Sequence, residues 1–519
     1  MRIANLFFPK QFERFHNSQS RISQFLWLLF IVTAVIYLCF PTRVYYWDGI
    51  TFAQAIEDAS SFDPSLVHPN HLIYNFAGYL FYKLLRTFGV ELRALTALQI
   101  FNSLLSAVCA SVLFAILRDT LRSLYLAVCL TLLFAFSATW WKFSTDANAY
   151  IPSVLFLLVS FYLVLPERKA RPWLVALAFF LSMAFHQLAV LMFPVLALGV
   201  YLQDGPISIK RRVANALYFS ILSAALILAS YAYLFSLARG SFDIYEFKHW
   251  ITYYSPDADT QFHLWSNLQY TLRGHVRLFF GGRFNLLKDL LNPLVVLLLA
   301  CLIAAVLWLL FERLRDLGKT TNSDRERKLR LQPREKTVLL LSLVWTIVYV
   351  VFLHFFLPQN TFYRLFYLPA FILLLGLGLS SLKDKASNSW RLAVFVAAVA
   401  LANFLFLIYP FSHLEKYPPL AFALQMNREW PVGTVIVYGA ESSDVSLLRY
   451  FTPGTKWKLL RPSTIADLEG GTAWLETSAI DQLASTAEGA RWLETHARKE
   501  SLKELADSGF RIRFLRVEP

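Results

Sequence analysis

The chain is poor in charge. Of its 519 residues only 16% are charged, while 57% are hydrophobic and 16% aromatic. Soluble domains carry about 25% charged residues, so a water-soluble globule is excluded and a polytopic membrane protein is expected. Cysteine is scarce as well. Cys39, Cys109, Cys129 and Cys301 all lie in apolar segments, with neither metal-ligand spacing nor a disulfide framework. There is no glycine-rich phosphate loop, since Gly470-Gly471 reads only as a turn, and no internal repeat or low-complexity tract. The formal net charge of +14 does not point to nucleic acid. Much of it sits in short loops between apolar segments, where it carries orientation information. The first apolar run is long and lacks a small-residue cleavage site, so it reads as an anchor.

Apolar windows of roughly 20 residues predict membrane segments near 24–40, 94–117, 122–139, 147–165, 172–185, 187–202, 213–237, 286–311, 336–357, 363–381 and 391–411. The stretch 71–88 is aromatic and amphipathic, interrupted by Asn75 and Lys83, and short for a span. Charge settles its place. With the basic N-terminus (Lys10, Arg14, Arg21) inside and 71–88 along the outer interface, the basic clusters at 118–122, 168–171, 210–212, 312–336 and 383–385 all fall inside. The fold class expected is therefore an all-α polytopic bundle of about eleven transmembrane helices. Its N-terminus is cytoplasmic and its C-terminus extracytoplasmic, in the inner (plasma) membrane. The run Arg313–Lys336 is expected to lie beside anionic membrane lipid.

Composition changes near Ser412. Thr434–Tyr438 reads as a strand, Ser442–Phe451 as a helix, Lys456–Leu460 as a second strand, 478–507 as helical and Phe510–Val517 as a closing strand. The expected domains are thus 1–411, embedded in the membrane, and 412–519, a small α/β domain on the outer side. No nucleophile-and-base set appears in the second domain, which favours binding or packing over catalysis.

This topology gathers the polar residues on one face. Asp48 follows the first span in Val44-Tyr-Tyr-Trp-Asp-Gly-Ile50, and His68-Pro-Asn-His71 comes after it. Lys142 and Asp146 lie in Trp140-Trp-Lys-Phe-Ser-Thr-Asp-Ala-Asn-Ala-Tyr150, His186 at a hairpin tip, and Arg364 beside the outer turn 358–364. Carboxylates at the mouth of a bundle are costly when dehydrated and call for water, cations or chemistry. Each position also has a plainer reading. Asp48 and Asp146 are candidates for helix caps, Asp146 for a helix beginning near Ala147. The histidines are candidates for hydrogen-bonded structural groups, and Lys142, Arg364, Arg273, Arg277 and Arg283 for cations snorkelling to lipid phosphate. Tyr45, Tyr46, Trp47, Trp140, Trp141, Trp250, Tyr253 and Tyr254 form aromatic clusters, which interfaces commonly carry.

A first span, an outer Asp, an interfacial helix opened by His-Pro and an acidic motif after the third span resemble, in that order, the GT-C superfamily of polyprenyl-phosphate-sugar-dependent glycosyltransferases. Within it the chain is most similar to bacterial relatives of the transmembrane O-mannosyltransferases. Trp47-Asp-Gly-Ile-Thr-Phe-Ala-Gln-Ala55 resembles that family's Asp-x-x-Glu-Phe-x-x-Ala, and Leu66-Val-His-Pro69 its Ala-His-Pro. The 140–150 motif is similar to its Phe-Trp-x-x-Ser-Val-Glu-Ala-Glu-Val-Tyr, and Phe185-His-Gln-Leu-Ala189 to its Asn-His-Leu-Thr-Ala turn. The likeness covers about the first 240 residues well and the later spans only in layout. Thr51 stands where the family has Glu, and Asn70 and His71 where it has proline and glycine, so neither acceptor nor metal is assigned.

The resemblance implies sugar transfer from a polyprenyl-phosphate donor to an acceptor hydroxyl on glycan, lipid or protein, with inversion. Asp48 would be the general base. Asp146 would be a second catalytic carboxylate, and His68, His71, Lys142, His186 and Arg364 substrate contacts. A divalent cation is the one cofactor left open, held by the histidines with a carboxylate. Two other readings stay in view. A flippase for lipid-linked saccharide would favour ionisable residues deep within paired, interrupted halves, which are not apparent here. An O-antigen-ligase-like transferase would use Arg273-Gly-His-Val-Arg277 of the 239–285 loop.

Overall fold

The computed structural model describes residues 16–61, 63–166, 168–169, 171–203, 208–252, 264–282, 331–381, 390–413, 417–461, 472–497, 503–507 and 510–518. The expected span 286–311, Lys10, Arg14, Tyr253, Tyr254, Arg283, Cys301, most of the basic run from Arg313, the 383–385 cluster and Gly470-Gly471 lie outside the described residues. The chain divides into two compact units. One comprises Met1–Pro41 and Ala55–Tyr409, the other Thr42–Gln54 and Pro410–Pro519. The segment carrying Asp48, expected with the membrane domain, thus clusters with the C-terminal residues.

The first unit is helical. Among the described residues, Ala94–Leu121, Ile209–Arg239, Pro333–Phe355 and Trp390–Phe411 are long and apolar enough to cross a bilayer. The pair Leu124–Ala135 and Ala138–Ser144, bent by 66°, makes a fifth if counted as one span. The expected eleven spans are thus not confirmed among the described residues. Several of the expected spans contain shorter apolar helices, Tyr150–Leu163, Pro172–Phe185, Gln187–Leu202 and Leu368–Ser380. At about 1.5 Å per residue, a 14-residue helix such as Tyr150–Leu163 covers roughly 21 Å. That falls short of a hydrocarbon core about 30 Å thick. Hydropathy windows do not register the polar breaks at 136–137, 145–149 and 186 that shorten these helices.

Those breaks are held by side chains. Where the 124–144 segment bends, Tyr37 Oη donates to the Ala135 carbonyl at 2.8 Å. Asn403 Nδ2 donates to the carbonyls of Phe136 (2.9 Å) and Phe279 (2.7 Å), and Asn403 Oδ1 accepts from Gly281 N–H at 3.1 Å. A π-helical turn, Phe404–Ile408, follows directly. The aromatic Tyr74–Thr87 helix is not among the candidate spans. It lies against Ala94–Leu121 at Gly78, where a Cβ would come within 2.5 Å of Leu98 Cδ2.

The second unit carries a five-stranded sheet of β1 (Val435–Tyr438), β2 (Lys456–Leu459), β3 (Ala473–Glu476), β4 (Lys503–Asp507) and β5 (Phe510–Val517), in the order β2-β1-β3-β5-β4. β1 runs parallel to β2 and β3, and β5 runs antiparallel to β3 and β4. Val437, Leu475, Ala479, Leu483 and Val517 form its core. Two expectations change. β3 has no counterpart in the sequence-based reading, and Lys503-Glu-Leu-Ala-Asp507, expected as helix, is a strand zipped to β5 from Lys503↔Phe514 to Asp507↔Phe510. Pairing to a formed strand overrides the helix propensity of its residues.

Replacing Asn403 with Ala removes three hydrogen bonds to backbone, one buried and two part-buried. Each group left unsatisfied costs about 1–3 kcal/mol, so the Asn403→Ala protein is expected to unfold at clearly lower temperature in detergent. An unchanged midpoint would show that the break is held by other contacts.

Candidate functional site

The residues predicted around 140–150 sit where the chain leaves one helix and turns into the next. The helix Ala138–Ser144 ends at Thr145, and Tyr150–Leu163 begins five residues later. The intervening backbone is tied to one face of Ala94–Leu121. Gln99 Nε2 donates to Thr145 O (3.0 Å), Asn102 Nδ2 to the carbonyls of Asp146 and Asn148 (2.8 Å each), and Ser103 Oγ to Ser144 O (3.0 Å). Positions 99, 102 and 103 are neighbours on one helical face. Asn148 Oδ1 accepts from Tyr150 and Ile151 N–H (3.2 Å each), so the start of this helix is capped by Asn148.

Asp146 is therefore released from the capping role open to it in the sequence. It is fully buried; one carboxylate oxygen accepts from Ala147 N–H at 2.9 Å, and the other is bonded to Lys142 Nζ, one turn earlier. The Lys142 ammonium also lies 4.7 Å from the Phe143 ring centroid. A buried carboxylate is tolerable only with such a partner.

From Phe143 a continuous aromatic path leads to the histidines. Tyr150 packs 5.7 Å from Phe143 and 4.9 Å from His186 by ring centroids. His186 lies 4.8 Å from His71, which stacks on His68 at 5.3 Å and 17°. Phe362 and Tyr363 of the 3-10 turn Phe362–Phe366 close around Tyr150. The structure thus brings together His68, His71, His186, Lys142 and Asp146, with Tyr150 as the hub that sequence reasoning missed.

His68 and His186 play the same local part. Each precedes a 3-10 turn, and its Nδ1 accepts the backbone N–H two residues on, Asn70 at 3.2 Å and Leu188 at 3.1 Å. Burial holds His68 down to about 4, and burial with the neighbouring His68 holds His186 to about 3. Burial keeps His71 well below the usual range too, assisted by its two histidine neighbours. All three imidazoles are neutral at pH 7. With Nδ1 accepting, His68 and His186 carry their proton on Nε2. In that tautomer Nε2–H is a hydrogen-bond donor. No group of three His, Cys, Asp or Glu residues with metal-binding geometry occurs among the described residues.

Arg364, in the same 3-10 turn, is also buried. Its Nη1 donates to Asn360 O (2.8 Å), and Nη2 to Pro358 O (2.8 Å) and, at the limit, Tyr270 O (3.5 Å). The guanidinium rests on Gly274, where a Cβ would fall 2.3 Å from Cζ. Two of its nitrogens are thus committed to main-chain carbonyls. Trp140 and Trp141, considered among the interfacial aromatics, are instead packed on Phe134 and Phe136.

In the second unit Asp48 occupies the first turn of the helix Trp47–Asp58. Gly49 N–H closes the turn on Tyr46 O at 3.0 Å, and Tyr46 also supplies a side-chain hydrogen bond to Asp48. Burial pushes the carboxyl up to about 6, with the Tyr46 bond acting in the opposite direction. Thr51, at the family's Glu position, spends its hydroxyl on the Trp47 carbonyl at 3.3 Å.

The Lys142–Asp146 pair yields a stability test. Lys142→Met strands a buried carboxylate and is expected to cost about 3–5 kcal/mol. Adding Asp146→Leu removes the stranded charge, so the double variant should be the more stable of the two in thermal unfolding. A double variant less stable than the single would contradict the pairing.

No protein-family model matches the chain, and no curated protein matches it. Solved structures do. ArnT from Cupriavidus metallidurans bound to undecaprenyl phosphate aligns over 95% of this chain and 97% of its own, with a TM-score of 0.58 at 12% identity. The apo state of the same enzyme aligns over 95% and 98%, with a TM-score of 0.53 at 12% identity. An Archaeoglobus fulgidus oligosaccharyltransferase in complex with Zn and sulfate covers 93% of this chain and 72% of its own, at a TM-score of 0.45 and 11% identity. With its candidate spans, the chain is an integral membrane protein, and its fold is that of ArnT.

Proposed function

We propose that this protein is a membrane glycosyltransferase that moves a sugar from a polyprenyl-phosphate carrier to an acceptor hydroxyl on the extracytoplasmic side, with inversion. One observation carries the reading. A carboxyl raised to about 6 stands in the Asp48 motif of a chain that follows ArnT, crystallised with undecaprenyl phosphate, almost end to end. Fold alone does not assign an activity; the motif residues supply the chemistry.

The donor already carries its leaving group. The acceptor oxygen forms a bond to the anomeric carbon, the anomeric carbon–oxygen bond to phosphate breaks, and its electron pair leaves with the polyprenyl phosphate. The acceptor proton passes to Asp48. A carboxyl near 6 is ionised at neutral pH yet more basic than an exposed one, as a general base requires. The Nε2–H of His186 and the charge of Lys142 are suited to the phosphate and sugar oxygens, with His68 beside them. His71 and Arg364 support that set, and Asp146 orients Lys142. The likeness to O-mannosyltransferase relatives makes hexosyl donors the first to test, pentosyl donors the next. The acceptor is a glycan, lipid or protein hydroxyl.

The test is transfer from a panel of labelled undecaprenyl-phosphate sugars by the purified protein in nanodiscs. Asp48→Asn is expected to lower the rate by about 10²–10⁴ while leaving the protein folded. Because Asp48 must be deprotonated to act, wild-type kcat/KM should fall as pH drops through about 6 and be flat above it. Full activity in the Asn variant would remove Asp48 from this role. Movement of lipid-linked saccharide across the membrane without transfer would identify a flippase.

A further inference from the structure

The α/β unit holds the Asp48 segment by contacts at both of its ends. Arg43 N–H donates to the Phe411 carbonyl at 2.6 Å, where the chain enters the C-terminal part of the unit. Tyr45 stacks on Phe451 with ring centroids 5.6 Å apart and planes at 22°. At the far end of the segment, Arg449 Nη2 donates to Gln54 Oε1 at 3.2 Å.

The two gripping residues come from one helix, Ser443–Phe451, and that helix is itself fixed to the sheet. Arg449 Nη1 donates to Glu441 Oε1 (2.8 Å) and to Tyr438 Oη (3.2 Å), while Tyr438 Oη donates to Glu441 Oε1 at 2.8 Å. Tyr438 is the last residue of β1, the central parallel strand, and Val445, Leu447 and Leu448 bury the helix against the unit's interior. Between the two grips, at Tyr45 and Gln54, lie eight residues with no Pro among them. Asp48 stands within that stretch, its turn closed by the Tyr46–Gly49 hydrogen bond.

Such an arrangement makes sense for a side chain whose position matters. A base must be held within a few tenths of an ångström of its productive geometry, which loops achieve less well than residues locked by packing. We infer that the C-terminal α/β unit is a positioning device for Asp48, with Arg449 and Phe451 as its positioning residues. The inference rests on the base role proposed above. It gives the sheet a function in catalysis without a catalytic residue of its own.

The test uses the full-length protein in nanodiscs, with two readouts. Arg449→Ala and Phe451→Ala should each lower kcat on the order of tenfold with KM for the donor changed less than about twofold, as expected when a group acts only in the transition state. The acid limb of kcat/KM should also move below 6 as water reaches the loosened carboxyl. Phe451→Tyr, which keeps the stack on Tyr45, should restore both. Independently of activity, backbone hydrogen exchange in 44–52 should speed up in the Ala variants and remain unchanged in 94–121. Wild-type exchange in 44–52, or wild-type kcat and acid limb, in folded Ala variants overturns the inference. Asp48→Asn run alongside separates the two claims. If it is inactive while the Ala variants behave as wild type, only the positioning role fails. If it retains full activity, the base assignment fails and the positioning role with it.

Discussion

Inside a bilayer the backbone has no water to bond, so each N–H and C=O freed by a helix break needs a partner within the protein. The first unit meets this demand with a small set of amides and hydroxyls. Gln99, Asn102 and Ser103 receive the carbonyls of 144–148, and Asn148 caps the next helix. Asn403 and Tyr37 receive those of 135 and 136. These side chains allow the chain to leave helical geometry just after Lys142 and at Asp146. Without them the same apolar sequence would favour straight, featureless spans.

The neutral histidines follow from the same lack of water. Charging an imidazole in the packed cluster of His68, His71 and His186 is disfavoured by burial and by its neighbours. The Nδ1 atoms of His68 and His186 accept from the backbone at two 3-10 turns, which fixes their protons on Nε2. Asp48 stands on the other side of this logic. Burial raises its carboxyl to about 6, still ionised at neutral pH.

Thr42–Gln54 also shows that a domain boundary drawn from composition can divide a compact unit. The segment is contiguous with the first membrane helix, yet its contacts are with Phe411, Arg449 and Phe451. Nothing in a hydropathy profile distinguishes a loop that ends at the bundle from one that is gripped by residues 350 positions later or more.

What the sequence determined by itself is the part written in composition and short motifs. Its low charge and long apolar runs dictate a membrane protein. The order of Asp48, His68-Pro69 and the 140–150 motif carried the resemblance to the GT-C glycosyltransferases, and the fold matches that of ArnT. The strands β1, β2 and β5 were legible from alternation and β-branched or aromatic residues. The polar face of Gln99, Asn102 and Ser103 left a readable trace too, three hydrogen-bonding residues in adjacent positions of one apolar helix, though their purpose was not. Tertiary structure alone decided the rest. It shortened expected spans, turned Lys503–Asp507 into a strand because β5 offered an edge, gave the helix start at Tyr150 to Asn148, and paired Asp146 with Lys142. Each of these outcomes depends on which distant group supplies a missing hydrogen bond or charge, and local sequence carries no record of that partner.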